Sequence, residues 1–149
     1  MVKSISILPT TEETDAHRLL LSKFIDEFNL SMIELTQYCD KFYKPYLLKD
    51  YKKDPNAIYF DILYDNRLIG FFGLNNDREL LTTWIVEFYL EKRYRNLKYC
   101  GDILNYVQNY MILENMKYLS IGVFNIKSIV AITKKLGFNP VTMTLIKKI

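Results

Sequence analysis

The sequence predicts a mixed α/β fold: one mostly antiparallel sheet flanked by helices, in the order β-α-α-β-β-β-α-β-α-β. Two stretches carry this reading. Residues 58–90 hold three apolar, β-branched and aromatic runs separated by polar turns, the pattern of an antiparallel meander. Residues 84–124 then change period from strand to helix and back, and a strand–helix–strand succession favours a parallel crossover.

Residues 4–8 alternate weakly and read as a first strand, ended by Pro9. Thr10 with Glu13, or Thr11 with Asp15, can cap the helix that follows, whose stripe is Ala16, Leu19, Leu20, Phe24 and Phe28. Asn29 and Leu30 are expected to break it. Ser31 with Glu34 then makes a capping box for a second helix carried by Leu35, Tyr38, Cys39, Phe42 and Tyr43, ending at or before Pro45. His17 lies one turn into the first helix and, with no catalytic partner apparent, reads as a surface or capping residue. Residues 49–56 are polar and charged, either a solvated connection or a loop lining a substrate entrance.

The hairpin is the clearest local signal. Ile58, Phe60 and Ile62 begin one strand, Asp65-Asn66 makes the turn, and residues 67–74 return. Gly70 and Gly73 in the returning strand suggest bulges or a close backbone approach. A polar turn at residues 75–79 leads to a strand over residues 80–90, with its buried part at 84–90. After a charged segment at 91–95, Cys100, Ile103, Leu104, Val107 and Met111 form one stripe of a helix over residues 96–116. Residues 118–124 are the next strand. Asn125 opens a last helix bearing Ser128, Ile129, Ile132 and Leu136, and Gly137 supplies its left-handed exit. Asn139-Pro140 turns the chain into a final strand at 141–146, before a solvated Lys147-Lys148. With no repeat and no linker composition, all 149 residues read as one domain.

Half the residues are hydrophobic and a quarter charged, which excludes disorder. The twelve tyrosines and nine phenylalanines are expected in the core or half-buried, with phenol tips reaching water. Two cysteines and one histidine support neither a disulfide framework nor a metal site. The net charge of +3 is unevenly spread: residues 1–75 carry nine Lys/Arg against eleven Asp/Glu, and residues 76–149 eleven against six. A basic second half suits a small anionic ligand but is too dilute for nucleic acid. No apolar run approaches membrane-spanning length and the start is too interrupted for a signal peptide, so a soluble cytoplasmic protein is expected. Exposed aromatics on a sheet edge would suit a homodimer.

A strand that feeds through a basic turn into a long helix leaves the first helical N–H groups pointing outward, where an anionic cofactor sits well. The run Leu90, Arg95, Asn96, Leu97, Lys98, Tyr99, Cys100 resembles the strand, pyrophosphate loop and helix of the GCN5-related N-acetyltransferases. In that family Arg or Gln is followed by two residues, Gly, one residue, and Gly or Ala. Here Lys98 stands at the first glycine and Cys100 at the second small position. A second motif follows about 30 residues on: Val123, Phe124, Asn125, with Ser128 at the small-residue position, then Lys135, Leu136, Gly137, Phe138. The resemblance spans nearly the whole chain in element order and residues 84–104 and 121–138 in motif detail. It implies the acyl-CoA N-acyltransferase fold, with acetyl-CoA as cofactor in the cleft where strands 84–90 and 119–124 diverge.

The resemblance also assigns roles. The backbone N–H groups of Asn96, Leu97, Lys98, Tyr99, Cys100 and Gly101 would hold the pyrophosphate, with Arg95 and Lys98 adding charge unless they merely form a solvated turn. Phe88, Tyr89 and Leu90 would expose backbone to pantetheine. Asn125 would hold the cofactor or cap its own helix. Glu87, the only carboxylate within its strand, reads either as a general base, acting directly or through water, or as a polar cleft or edge residue. Tyr89 is expected on the opposite face from Glu87 if the strand is regular. The family's general-acid tyrosine would fall at Ile132 or Thr133, so another tyrosine or water would protonate the thiolate. Cys100, in the helix stripe, is a poor nucleophile. The acceptor would be a primary amine of a small molecule or protein, with no nucleic acid and no membrane involved. The alternative is a non-catalytic CoA-binding or protein-interaction module on the same fold.

Overall fold

Asp65 and Asn66 adopt φ values of +52° and +61°, the paired left-handed geometry that closes a two-residue hairpin between twisted strands. A computed structural model, which describes residues 4–35, 44–122 and 134–139, builds a five-stranded sheet outward from this turn. Its strands are β1 (Ile5–Pro9), β2 (Ile58–Tyr64), β3 (Arg67–Asp77), β4 (Thr82–Leu90) and β5 (Tyr118–Ile121). They lie side by side in sequence order, β1 to β4 antiparallel and β4 to β5 parallel. The meander and the crossover are both present. Pro9 ends the edge strand, where its missing N–H costs no ladder bond within the sheet.

The described residues hold two long helices, α1 (Asp15–Leu35) and α2 (Leu97–Leu113). Ile103, Val107 and Met111 of α2 lie four apart on one stripe and are buried in one cluster with Phe60, Ile62, Phe72, Leu74 and Leu90 of the sheet. Asn115 takes φ +57° after the helix. The Met116 N–H then reaches the Met111 carbonyl at 2.9 Å and the Asn115 N–H the Ile112 carbonyl at 3.2 Å, a Schellman end with Met111 and Met116 both buried. Tyr106 and Tyr110 set their rings edge-on to Phe60, half-buried as expected for the abundant tyrosines.

The start of α1 corrects two expectations. Its cap is Thr14, not Thr10 or Thr11: the Arg18 N–H bonds the Thr14 carbonyl at 3.2 Å, and Thr14 exchanges contacts with His17. His17 therefore has the capping role. The break at Asn29 and Leu30 is also absent, because α1 continues to Leu35. Asn29 usually weakens a helix by bonding its own backbone, but here its amide is committed elsewhere. Its Nδ2 donates to the Tyr46 carbonyl and its Oδ1 accepts from the Tyr46 N–H, each at 2.8 Å. Ser31 and Glu34 thus lie inside one helix and form no capping box. The remainder of the expected second helix, with Tyr38, Cys39, Phe42 and Tyr43, lies outside the described residues, as do Asn125, Ile132, Thr133 and the final strand. Residues 134–136 are helical and Gly137 exits at φ +76°, as its position predicts.

By packing, the chain forms two compact units, Met1–Leu21 with Lys52–Gly122, and Ser22–Tyr51 with Val123–Ile149. All the sheet and α2 belong to the first.

Candidate functional site

Among the described residues the ladder between β4 and β5 runs from Thr82↔Tyr118 to Ile85↔Ile121. At the same point β4 bulges: Leu74 of β3 pairs with Ile85 and Gly73 with Glu87, so Val86 is the extra residue. Beyond the bulge, Glu87 to Leu90 pair with β3 alone among the described residues. The bulge also resets the faces. Ile85 and Phe88, three apart, both pack against the core beneath α2. Glu87 and Tyr89 share the other face, since residues two apart in a strand do; the expectation that they oppose one another is corrected. Tyr89 is buried and stacks on Phe71 at 6.1 Å between ring centres.

Glu87 is half-buried, and its Oε1 accepts a hydrogen bond of 3.3 Å from the Tyr59 hydroxyl. Tyr59 is on β2, two strands away, and its ring crosses β3 over Gly73. A Cβ at Gly73 would sit 2.9 Å from the ring and 3.0 Å from Val86. The close approach predicted for this glycine is therefore an aromatic ring. The Asp54 N–H donates to the same hydroxyl at 3.1 Å, and the Asp54 carboxylate takes the Asn75 amide at 2.9 Å and the Asn56 N–H at 2.8 Å. The Lys53 ammonium lies 4.7 Å from the centre of the Tyr59 ring and 2.7 Å from Glu13. Its hydrogen bond and charge hold the Glu13 carboxyl below the usual range. Residues 53–56 are thus tied to the sheet on the Glu87 face.

Sequence reasoning missed Tyr59, Lys53, Asp54 and Asn75. Counting back from the Asp65-Asn66 turn places Phe72, not Gly73, opposite Tyr59. A bulge at Ile62/Leu63 shifts the register by one and brings the glycine under the ring.

The start of α2 is built by Asn96. Its Oδ1 accepts the Tyr99 N–H at 2.9 Å, its carbonyl accepts the Cys100 N–H at 3.1 Å, and its own N–H donates to the Tyr94 carbonyl at 2.9 Å. Gly101 is already within the helical ladder. Of the six N–H groups from 96 to 101, those of Leu97 and Lys98 have no partner among the described residues. Neither Lys98 nor Cys100 has positive φ, so replacing the family glycines there stores no backbone strain. Arg95 binds the end of β4: its Nε donates to the Leu90 carbonyl at 2.6 Å, and its guanidinium lies 5.3 Å from the Tyr89 ring centre. Arg93 contacts Glu91, which also pairs with Arg67. The Lys98 side chain is exposed near Tyr99, which clusters with Tyr64 and Tyr94. Burial raises the Cys100 thiol above its ordinary value, with the Arg95 charge opposing, which disfavours the thiolate a nucleophile needs.

No described helix is long and apolar enough to cross a membrane. The model of the acetyltransferase (GNAT) family matches residues 20–138. YycN from Bacillus subtilis, a candidate acetyltransferase, superposes with a TM-score of 0.69 at 16% identity, over 97% of this chain and 99% of that one. A GNAT family acetyltransferase from Elizabethkingia anophelis with acetyl-CoA bound gives 0.61 at 20% identity, over 93% and 78%. The aminoglycoside N-acetyltransferase AAC(6')-Iy in complex with CoA gives 0.62 at 12% identity, over 97% and 98%. At these identities the likeness is one of fold. A search of curated protein sequences finds no match.

Proposed function

The chain belongs to the GNAT family of acetyltransferases, and from that premise we propose that it transfers an acetyl group from acetyl-CoA to a primary amine by direct attack. The observation that carries this reading is the β4–α2 unit. Among the described residues β4 has no β5 partner beyond the Val86 bulge, and it then runs into a helix whose Leu97 and Lys98 N–H groups are likewise unpaired. Two parallel donors at the positive end of a helix dipole, beside an exposed ammonium, suit a diphosphate.

Acetyl-CoA supplies the activated thioester carbonyl. The chain's residues bind and orient. Leu97 and Lys98 would hold the pyrophosphate through two backbone donors rather than six, with the Lys98 ammonium adding a charge-assisted contact. Arg95 would serve mainly by fixing the strand end against the helix start, since its Nε is already spent on Leu90. The backbone of Phe88, Tyr89 and Leu90 would face pantetheine along the β4 edge. Glu87 would take the proton from the amine, directly or through water, which requires an ionised carboxylate. The likeness to an aminoglycoside acetyltransferase supports a small-molecule acceptor, and the tethered residues 53–56 would border the amine side.

Calorimetric titration with acetyl-CoA and with CoA tests the reading. Wild type should bind both, and Lys98→Glu should weaken binding about tenfold or more, equivalent to about 1.4 kcal/mol. No binding to either by folded protein would overturn it. Thiol release with a panel of primary amines, with Glu87→Gln as control, then separates an enzyme from a module that binds CoA without transfer.

A further inference from the structure

We propose that Tyr59 is a positioning residue for Glu87, holding the carboxylate through its hydroxyl and coupling it to the loop around Asp54. The proposal rests on the reading of Glu87 as general base.

The polarity of the hydrogen bonds fixes the direction. The Asp54 N–H can only donate and an ionised Glu87 can only accept, so the Tyr59 oxygen takes the Asp54 N–H while its phenolic proton goes to Glu87 Oε1. A hydrogen bond given to a carboxylate favours its ionised form, the form that accepts a proton from an amine. At 3.3 Å the bond is long enough to tighten when the site fills.

The ring is positioned as deliberately as its tip. It reaches from β2 to β4 only because the central strand has glycine beneath it, where any Cβ would collide. Lys53 sits over the ring and is itself held by Glu13. Asp54 is anchored to Asn75 on β3. The charged groups around this hydroxyl include Glu13 from the segment before α1, Lys53 and Asp54 from the loop, and Glu87 from β4. Asp61, two residues along β2, is engaged by His17 and Thr10. An acceptor that displaces the loop moves the Asp54 N–H, and with it the hydroxyl that orients the base.

Tyr59→Phe keeps the ring over Gly73 and beneath Lys53 and removes only the hydroxyl. The first readout needs no acceptor. In protein labelled with 13C at glutamate carboxyls, with the Glu87 signal assigned by its loss in Glu87→Gln, the Glu87 titration midpoint should rise in Tyr59→Phe. An unchanged midpoint overturns the proposal. The second readout is acetyl transfer to whichever amine of the panel wild type uses. Tyr59→Phe should lower kcat about tenfold, leave KM for acetyl-CoA unchanged, and have no further effect in the Glu87→Gln background. An equal loss in both backgrounds means that Tyr59 does not act through Glu87 and overturns the proposal. If Glu87→Gln alone leaves kcat intact, the general-base reading has failed, and the carboxyl titration still decides whether Tyr59 holds Glu87.

Discussion

His17 stands at the third helical position of α1, where a capping box usually carries Glu or Gln, and fills that role with an imidazole. Its Nδ1 accepts the Thr14 N–H at 3.0 Å, while its own N–H approaches the Thr14 hydroxyl oxygen at 3.4 Å. With Nδ1 an acceptor, the ring proton is assigned to Nε2, which donates to Asp61 at 2.8 Å; the Thr10 hydroxyl reaches the same oxygen at 2.5 Å. One side chain thus closes a helix start and satisfies a half-buried carboxylate on β2. His17→Ala loses both and should cost about 1–2 kcal/mol, whereas His17→Gln keeps an acceptor for the Thr14 N–H and should cost less. A lower urea midpoint at unchanged m, larger for Ala than for Gln, is the expected result. Equal losses would mean that the cap contributes nothing. The capping role of His17 was legible because it sits one turn into an amphipathic stripe. Its partner Asp61, 44 residues away, was not, because no local pattern encodes a tertiary hydrogen bond.

Among elements, β3 has the most demanding sequence. It lies in the middle of the described sheet and carries glycine at two positions where a neighbour leaves no room for a Cβ: Gly70 against the Tyr89 carbonyl, Gly73 under the Tyr59 ring. Gly73→Ala would gain strand propensity but place a methyl 2.9 Å from the ring and 3.0 Å from Val86. Overpacking of this kind costs about 1–3 kcal/mol, and the ring yields more easily than backbone, so its hydroxyl should leave Glu87. We expect transfer to fall as it does in Tyr59→Phe while acetyl-CoA affinity, which we propose is set at the start of α2, is unchanged by calorimetry. A variant that loses acetyl-CoA binding as well would show that the sheet itself has shifted. Periodicity announced the meander, the crossover and α2 because each element's burial repeats along its own length. It placed a break in α1 at Asn29, where Tyr46, 17 residues on, takes the side chain that would have disturbed the helix. It could not place the Val86 bulge, which inserts one residue without changing the apolar run, and that bulge decides which residues share a face with Glu87.

At the scale of the molecule, the division into two units falls inside a helix. Leu21 closes a segment of the first unit and Ser22 opens the second, yet both lie within α1, a single run from Asp15 to Leu35. Separable domains are joined by exposed linkers, whereas helix formation is cooperative along its length. We therefore expect the chain to behave as one acyltransferase domain and to melt in a single calorimetric transition. Acetyl-CoA adds a second test, because a ligand bound only by the native state stabilises whatever unfolds with its site. At a hundredfold excess over Kd the stabilisation is about 2.7 kcal/mol, which for a chain of this size raises Tm by roughly 5–10 °C. If the chain is one cooperative body, the whole transition moves. If it separates into two transitions of which acetyl-CoA moves one, the units are independent despite the shared helix, and the transition that moves belongs to the unit holding β4 and the start of α2.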